Sequence, residues 1–193
     1  MKKLFILATL VLGMASCSKM DDIFNGTDKE AIAPISLGND YGTDLFSREE
    51  INGIVPDLLK QNGVTIWEDH KIKEGDPFPN PSELTQSHPS EAAIVINDVS
   101  VISEVLSRCN LETALSDGGL DGYSLVMGFA MQPQSNYRVT SQRVKKSIKE
   151  INLYLKIENS GMGFCTPYAD YFMALYPKLP SRPIKIYRSD LGD

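Results

Sequence analysis

In "YSLVMGFAM" (Tyr123–Met131) apolar character falls on every second position. Tyr123, Leu125, Met127, Phe129 and Met131 share one face, and Ser124, Val126, Gly128 and Ala130 share the other. A period of two is that of a β-strand, whose successive side chains point to opposite sides of a sheet. Large apolar groups on one face and small or apolar ones on the other suit a strand covered on both sides. The same period continues in "YRVTSQRV" (137–144) and "INLYLKI" (151–157), and "YFMALY" (171–176) and "IKIYR" (184–188) complete the set. A run of about five strands joined by turns or short loops predicts an antiparallel meander.

Toward the N-terminus the pattern changes. "AAIVIN" (Ala92–Asn97) reads as a buried strand, and Val99, Ile102, Val105, Leu106 and Cys109 recur at helical spacing. "SDGGLDG" (Ser116–Gly122) is turn chemistry. "FSREEI" opens a helix: Ser47 and Glu50 form a capping box, and Phe46 with Ile51 fits the hydrophobic staple. Pro56 predicts a break near Gly53–Val55, Asn62-Gly63 a stop, and "VTIW" (Val64–Trp67) a short strand. From Glu68 to Ser90 the chain is polar and holds four prolines, which predicts a long loop. The expected fold is α+β and mainly β, a small helical lead-in followed by an antiparallel β-sandwich or partial barrel, as one globular domain over residues 45–193.

The first residues carry an address. Met1-Lys2-Lys3 is basic, Leu4–Leu12 is apolar, and Gly13, Ala15 and Ser16 are small. That layout is a secretory signal, too short for a permanent membrane span. Met14-Ala15-Ser16-Cys17 resembles a bacterial lipobox, with Met14 at the usual Leu position. The resemblance implies a signal peptide over residues 1–16 and acylation, with palmitate-type chains, at Cys17. Each buried acyl methylene contributes about 0.8 kcal/mol, so several chains on one cysteine anchor a protein stably. Ser18-Lys19-Met20-Asp21-Asp22 resembles the acidic export tag of Bacteroidota surface lipoproteins. The expected location is the outer membrane, lipid-anchored and on the cell surface. Residues 17–44, poor in apolar groups, read as a flexible tether.

The chain has 193 residues, with 19 basic and 25 acidic side chains. Residues 17–136 carry 7 basic and 20 acidic side chains, a net of −13, whereas 137–188 carry 10 and 3, a net of +7. Asymmetry of this kind fits an anionic partner for the C-terminal part, or two halves that face each other. An export address argues against nucleic acid as that partner.

Cys109 and Cys165 are a candidate disulfide pair outside the cytoplasm, with buried thiols as the open alternative. Both histidines, His70 and His88, lie in the polar loop, and Glu68, Asp69 and His70 adjoin without the fixed frame that metal ligation requires. No metal or other cofactor is expected. "GMGFCTP" lacks a protease signature around Cys165, no Gly-x-Ser-x-Gly elbow occurs, and the glycines do not form a phosphate loop. No catalytic residue stands out. Seven tyrosines (Tyr123, Tyr137, Tyr154, Tyr168, Tyr171, Tyr176 and Tyr187) fall in the β region. They suit a ligand platform, or packing, which favours Tyr in strands by itself. The candidate binding surface is Tyr137, Arg138, Arg143, Lys145, Lys146 and Tyr154.

Three motifs carry a further resemblance: "IVIND" with a helix after it, "LDGYSLVMGFAMQP", and "YFMALYPKLPSRPIKI" behind a basic hairpin. Together, over about residues 93–188, they resemble a family of uncharacterised Bacteroidota surface lipoproteins. They are also distantly similar to the small β domain of protease-complex accessory subunits of the PrcB type, with Asn136-Tyr137 in place of that domain's Gly-Tyr pair. The resemblance implies a non-catalytic β domain that binds another envelope component. The expected function is therefore a lipid-anchored, non-enzymatic binding or accessory module for an envelope protein or glycan. The alternatives are a hydrolase acting on envelope or host polymers, or a structural component of a surface assembly.

Overall fold

The computed structural model describes residues 20–35, 45–66, 89–111, 119–161, 163 and 167–190. Helix α1 (Arg48–Gln61) begins with the expected capping box: Glu50 N–H donates to Ser47 Oγ, and Ser47 N–H donates to the Glu50 carboxylate at 2.7 Å. The helix does not break at Pro56 but runs through it. Ile51, Ile54, Val55, Leu58 and Leu59 form one buried stripe on both sides of the proline, and that packing holds the helix together. The carbonyl that loses its donor belongs to Asn52, on the exposed side where water reaches it. Gly63, at φ +75°, ends the helix in the left-handed conformation that glycine adopts without cost. Residues 64–66 are not a strand: Val64 N–H returns to Leu59 O at 2.9 Å.

Strand β1 (Glu91–Ile96) leads into helix α2 (Val99–Arg108), capped by Asp98, whose carboxylate accepts from Ser100 N–H at 2.8 Å. A 3-10 turn at Leu120–Gly122 precedes β2 (Tyr123–Gln132), β3 (Tyr137–Lys146), β4 (Ile151–Asn159), β5 (Tyr168–Pro177) and β6 (Ile184–Arg188). The strands build two three-stranded sheets, ordered β1-β2-β5 and β3-β4-β6. The chain is not a meander. β5 returns to pair antiparallel with β2, and β6 pairs parallel with β4. The expected mainly-β α+β sandwich stands, open rather than closed into a barrel, with one mixed sheet.

The two faces read in Tyr123–Met131 go to two cores. Leu125, Met127 and Phe129, with Met173 and Leu175 of β5, pack against α1 and α2. Val126 and Ala130, with Phe172, Ala174 and Tyr176, pack against Val139, Val144, Leu153, Leu155 and Ile157 of the second sheet. The layers are thus helices, first sheet, second sheet. Gly128 faces the inter-sheet core, where a Cβ would stand 2.1 Å from Ala92 O and 2.6 Å from Phe172 Cζ. Only glycine admits that approach.

Within the stretch read as a tether, residues 20–35 lie on the domain. Ile32 pairs antiparallel with Val144, each N–H donating to the other's carbonyl, and Ile35 N–H reaches Leu175 O at 2.7 Å. Isolated apolar side chains, Ile23 and Ile32, fix a segment whose average composition is polar; Ile23 is only 1% exposed. Residues 36–44 lie outside the described residues.

Candidate functional site

The basic residues of the C-terminal part concentrate on β3 and β4, a hairpin closed through residues 147–150, where Ser147 N–H donates to Glu150 O at 3.0 Å. Alternation sends Val139, Gln142 and Val144 inward. A register shift between Val139 and Ser141 absorbs Thr140, so Arg138 before it and Ser141, Arg143 and Lys145 after it share the outer face. Cross-strand rows follow. Arg143 faces Tyr154, which faces Tyr187; Lys145 faces Asn152, which faces Lys185; Ser141 faces Lys156.

On this face Tyr154 and Tyr187 stack at 5.0 Å between ring centroids, with 14° between planes, and Lys185 Nζ sits 5.0 Å from the Tyr187 ring. Arg143 donates to Gln142 O and Ser141 Oγ and meets no carboxylate among the described residues. Lys156 pairs with Glu158 at 2.7 Å, a surface pair of small energetic weight.

The N-terminal segment covers part of the face. Lys145 Nζ contacts Asp28 at 2.8 Å and Glu30 at 3.1 Å, and the hydrogen bond to Asp28 holds its ammonium above the usual lysine range. Tyr154 is only 4% exposed, and burial, then the neighbouring Tyr187, pushes its phenol upward. Ile23 and Tyr154 belong to neither main core, and both are buried.

The six candidate binding residues therefore separate. Tyr137 and Arg138 lie at the start of β3, where Tyr168 donates its hydroxyl to Tyr137 O and Arg138 lies 4.7 Å over the Tyr168 ring. Lys145 and Tyr154 are occupied within the fold. Arg143 stays open at mid-sheet, and Lys146 stands exposed beside the hairpin turn. The seven tyrosines make no single platform: Tyr176 is in the inter-sheet core, and Tyr123 and Tyr171 pack toward the helices. Cys109 is a buried free thiol. Its expected partner Cys165 lies outside the described residues, as do Cys17, Trp67, Glu68, Asp69, His70 and His88.

Two ionic clasps between the sheets went unread in the sequence. Asp170 of β5 accepts from Val139 N–H of β3 at 2.6 Å and from Arg48 of α1 at 2.8 Å, and Arg48 also donates to Tyr171 O and Val139 O. Burial pushes this carboxyl above the ordinary range despite both donors. At the other clasp Arg188, 5% exposed, donates to Met131 O, Gln132 Oε1 and Asp190, and Glu91 stands 3.8 Å away. Burial raises Glu91 as well. Both clasps serve as supports inside the fold, although in the second Glu91 Oε2 and Gln132 Nε2 are buried without a hydrogen-bond partner among the described residues. The chemistry left outward is cationic and aromatic: Arg143, Lys185 and Tyr187 on a braced sheet. No family model, no curated protein and no solved structure matches the chain.

Proposed function

We propose that the chain is a lipid-anchored cell-envelope protein that acts as a non-enzymatic binding or accessory module for an envelope protein or glycan. One observation carries the reading. Arg143 and Lys185 flank the Tyr154–Tyr187 stack on a sheet packed from behind, and neither cation meets a carboxylate among the described residues. Charges held on a rigid sheet lose little freedom on binding, and a half-buried aromatic beside them adds contact area. Such a surface recognises an anionic ligand with no catalytic group required. The lipobox-like run before Cys17 supplies the envelope address.

The test is capture from solubilised envelope by the chain, alongside Arg143→Glu and Lys185→Glu. The reading expects a ligand retained at low salt, lost at high salt, and lost by both charge reversals, since exposed ion pairs are screened. Retention unchanged by either reversal contradicts it.

A further inference from the structure

The hairpin turn of β3 and β4 has a feature the binding face does not use. Ile148, at its tip, is 90% exposed. A lone exposed isoleucine needs no explanation; its surroundings here do. Lys146 and Lys149 flank it in sequence and are exposed. The loop before β6 brings one more exposed cation beside the turn: Arg182 donates to Ser147 O. Lys146 Nζ donates at 2.9 Å to the backbone carbonyl of Lys178, whose own ammonium is turned to Asn97 O and Tyr123 O. The tip is thus an apolar side chain inside a collar of Lys146, Lys149 and Arg182, with Glu150 the one acid in the turn.

We propose that this tip docks on an anionic lipid surface, Ile148 entering the headgroup–acyl boundary and the three cations meeting lipid phosphates. The pattern is that of an interfacial contact, in which apolar burial and attraction to anionic headgroups act together. Docked in this way, the outer face of β3-β4-β6 stands off the membrane and remains open to a ligand.

The test uses the chain from residue 17 onward with Cys17→Ser, which keeps every described residue and accepts no acyl chain. It is co-sedimented with phosphatidylglycerol vesicles and with neutral phosphatidylcholine vesicles at low salt. The proposal expects at least about tenfold preference for the anionic vesicles, and a loss of about fivefold or more in each of Ile148→Asp and Lys149→Glu. Both sites are exposed, and an unchanged melting transition confirms that each variant is folded. Equal binding to both vesicles, no binding to either, or binding indifferent to both substitutions overturns it. Because no acyl group is present, these outcomes are independent of whether Cys17 is acylated in the cell, which acyl labelling of the full chain decides.

Discussion

Val139 N–H donates to Asp170 Oδ2 at 2.6 Å, while Asp170 Oδ1 accepts from Arg48 at 2.8 Å. One carboxylate thereby ties the bulged strand of the second sheet to β5 of the first and to the start of α1. Arg48→Ala leaves the buried charge with a single donor and is expected to cost roughly 3 kcal/mol at neutral pH, the low end for a broken buried pair because Arg48 is 41% exposed. The sign of the pH dependence follows from the raised folded-state pKa of Asp170, set first by burial. The fold holds that proton more tightly than the unfolded chain does. Stability from this group therefore falls as pH rises from the unfolded carboxyl value through the folded one. Urea denaturation of wild type and Arg48→Ala from neutral pH toward about pH 4 is expected to show the gap narrowing on acidification. A gap that widens contradicts the assignment.

Gly128 has no freedom to gain a side chain. Its backbone is not left-handed, so any cost is steric, set by Ala92 O and the Phe172 ring. Gly128→Ala is expected to lose about 2 kcal/mol and Gly128→Val more, as overpacking in a filled core does. Thermal melts of the two variants check the order; a neutral Gly128→Ala sinks the packing argument.

Pro56 in α1 is tolerated, not favoured. A proline in a helix interior costs about 3 kcal/mol relative to alanine, part of which it returns by stiffening the unfolded chain. Pro56→Ala restores a donor for the Asn52 carbonyl and is expected to stabilise the domain by about 1–2 kcal/mol. A lower denaturation midpoint for Pro56→Ala contradicts this reading of the helix.

Burial, then the Glu50 charge, pushes the Cys109 thiol up to about 11. Peptide-resolved alkylation at neutral pH is expected to leave Cys109 unmodified in the native chain and to modify it on denaturation. Linkage gives a second sign. The thiol's contribution is intact below the unfolded value near 9 and is lost as pH rises from there to about 11, because the unfolded chain ionises first. Rapid native alkylation contradicts this placement.

What could be read from the residues was local. The period of two in Tyr123–Met131 located a strand and both of its faces, and the Ser47–Glu50 pair marked the helix start to the residue. Pairing partners were not legible, since alternation names the buried face of a strand but not its neighbour. For that reason β6 beside β4 in parallel, and β5 beside β2, came only with the fold. Pro56 was misread because a local steric rule was set against a buried stripe that outweighs it. Arg48 and Asp170 stand 122 positions apart, and no spacing rule connects them. Of the binding surface, the charge excess was visible in sequence. Its division into Arg143 left open and Lys145 neutralised was not, because Asp28 and Glu30 arrive from a segment whose composition reads as a tether.

The proposed function begins from an acylated Cys17, and metabolic labelling with an alkyne fatty acid tests that proposal most directly. The full chain, expressed in a diderm bacterium with lipoprotein export, is predicted to carry label on Cys17 as its first residue and to fractionate with the outer membrane. Cys17→Ser is predicted to lose both the label and that retention. A mature chain that is unlabelled, or whose first residue is other than Cys17, contradicts the account.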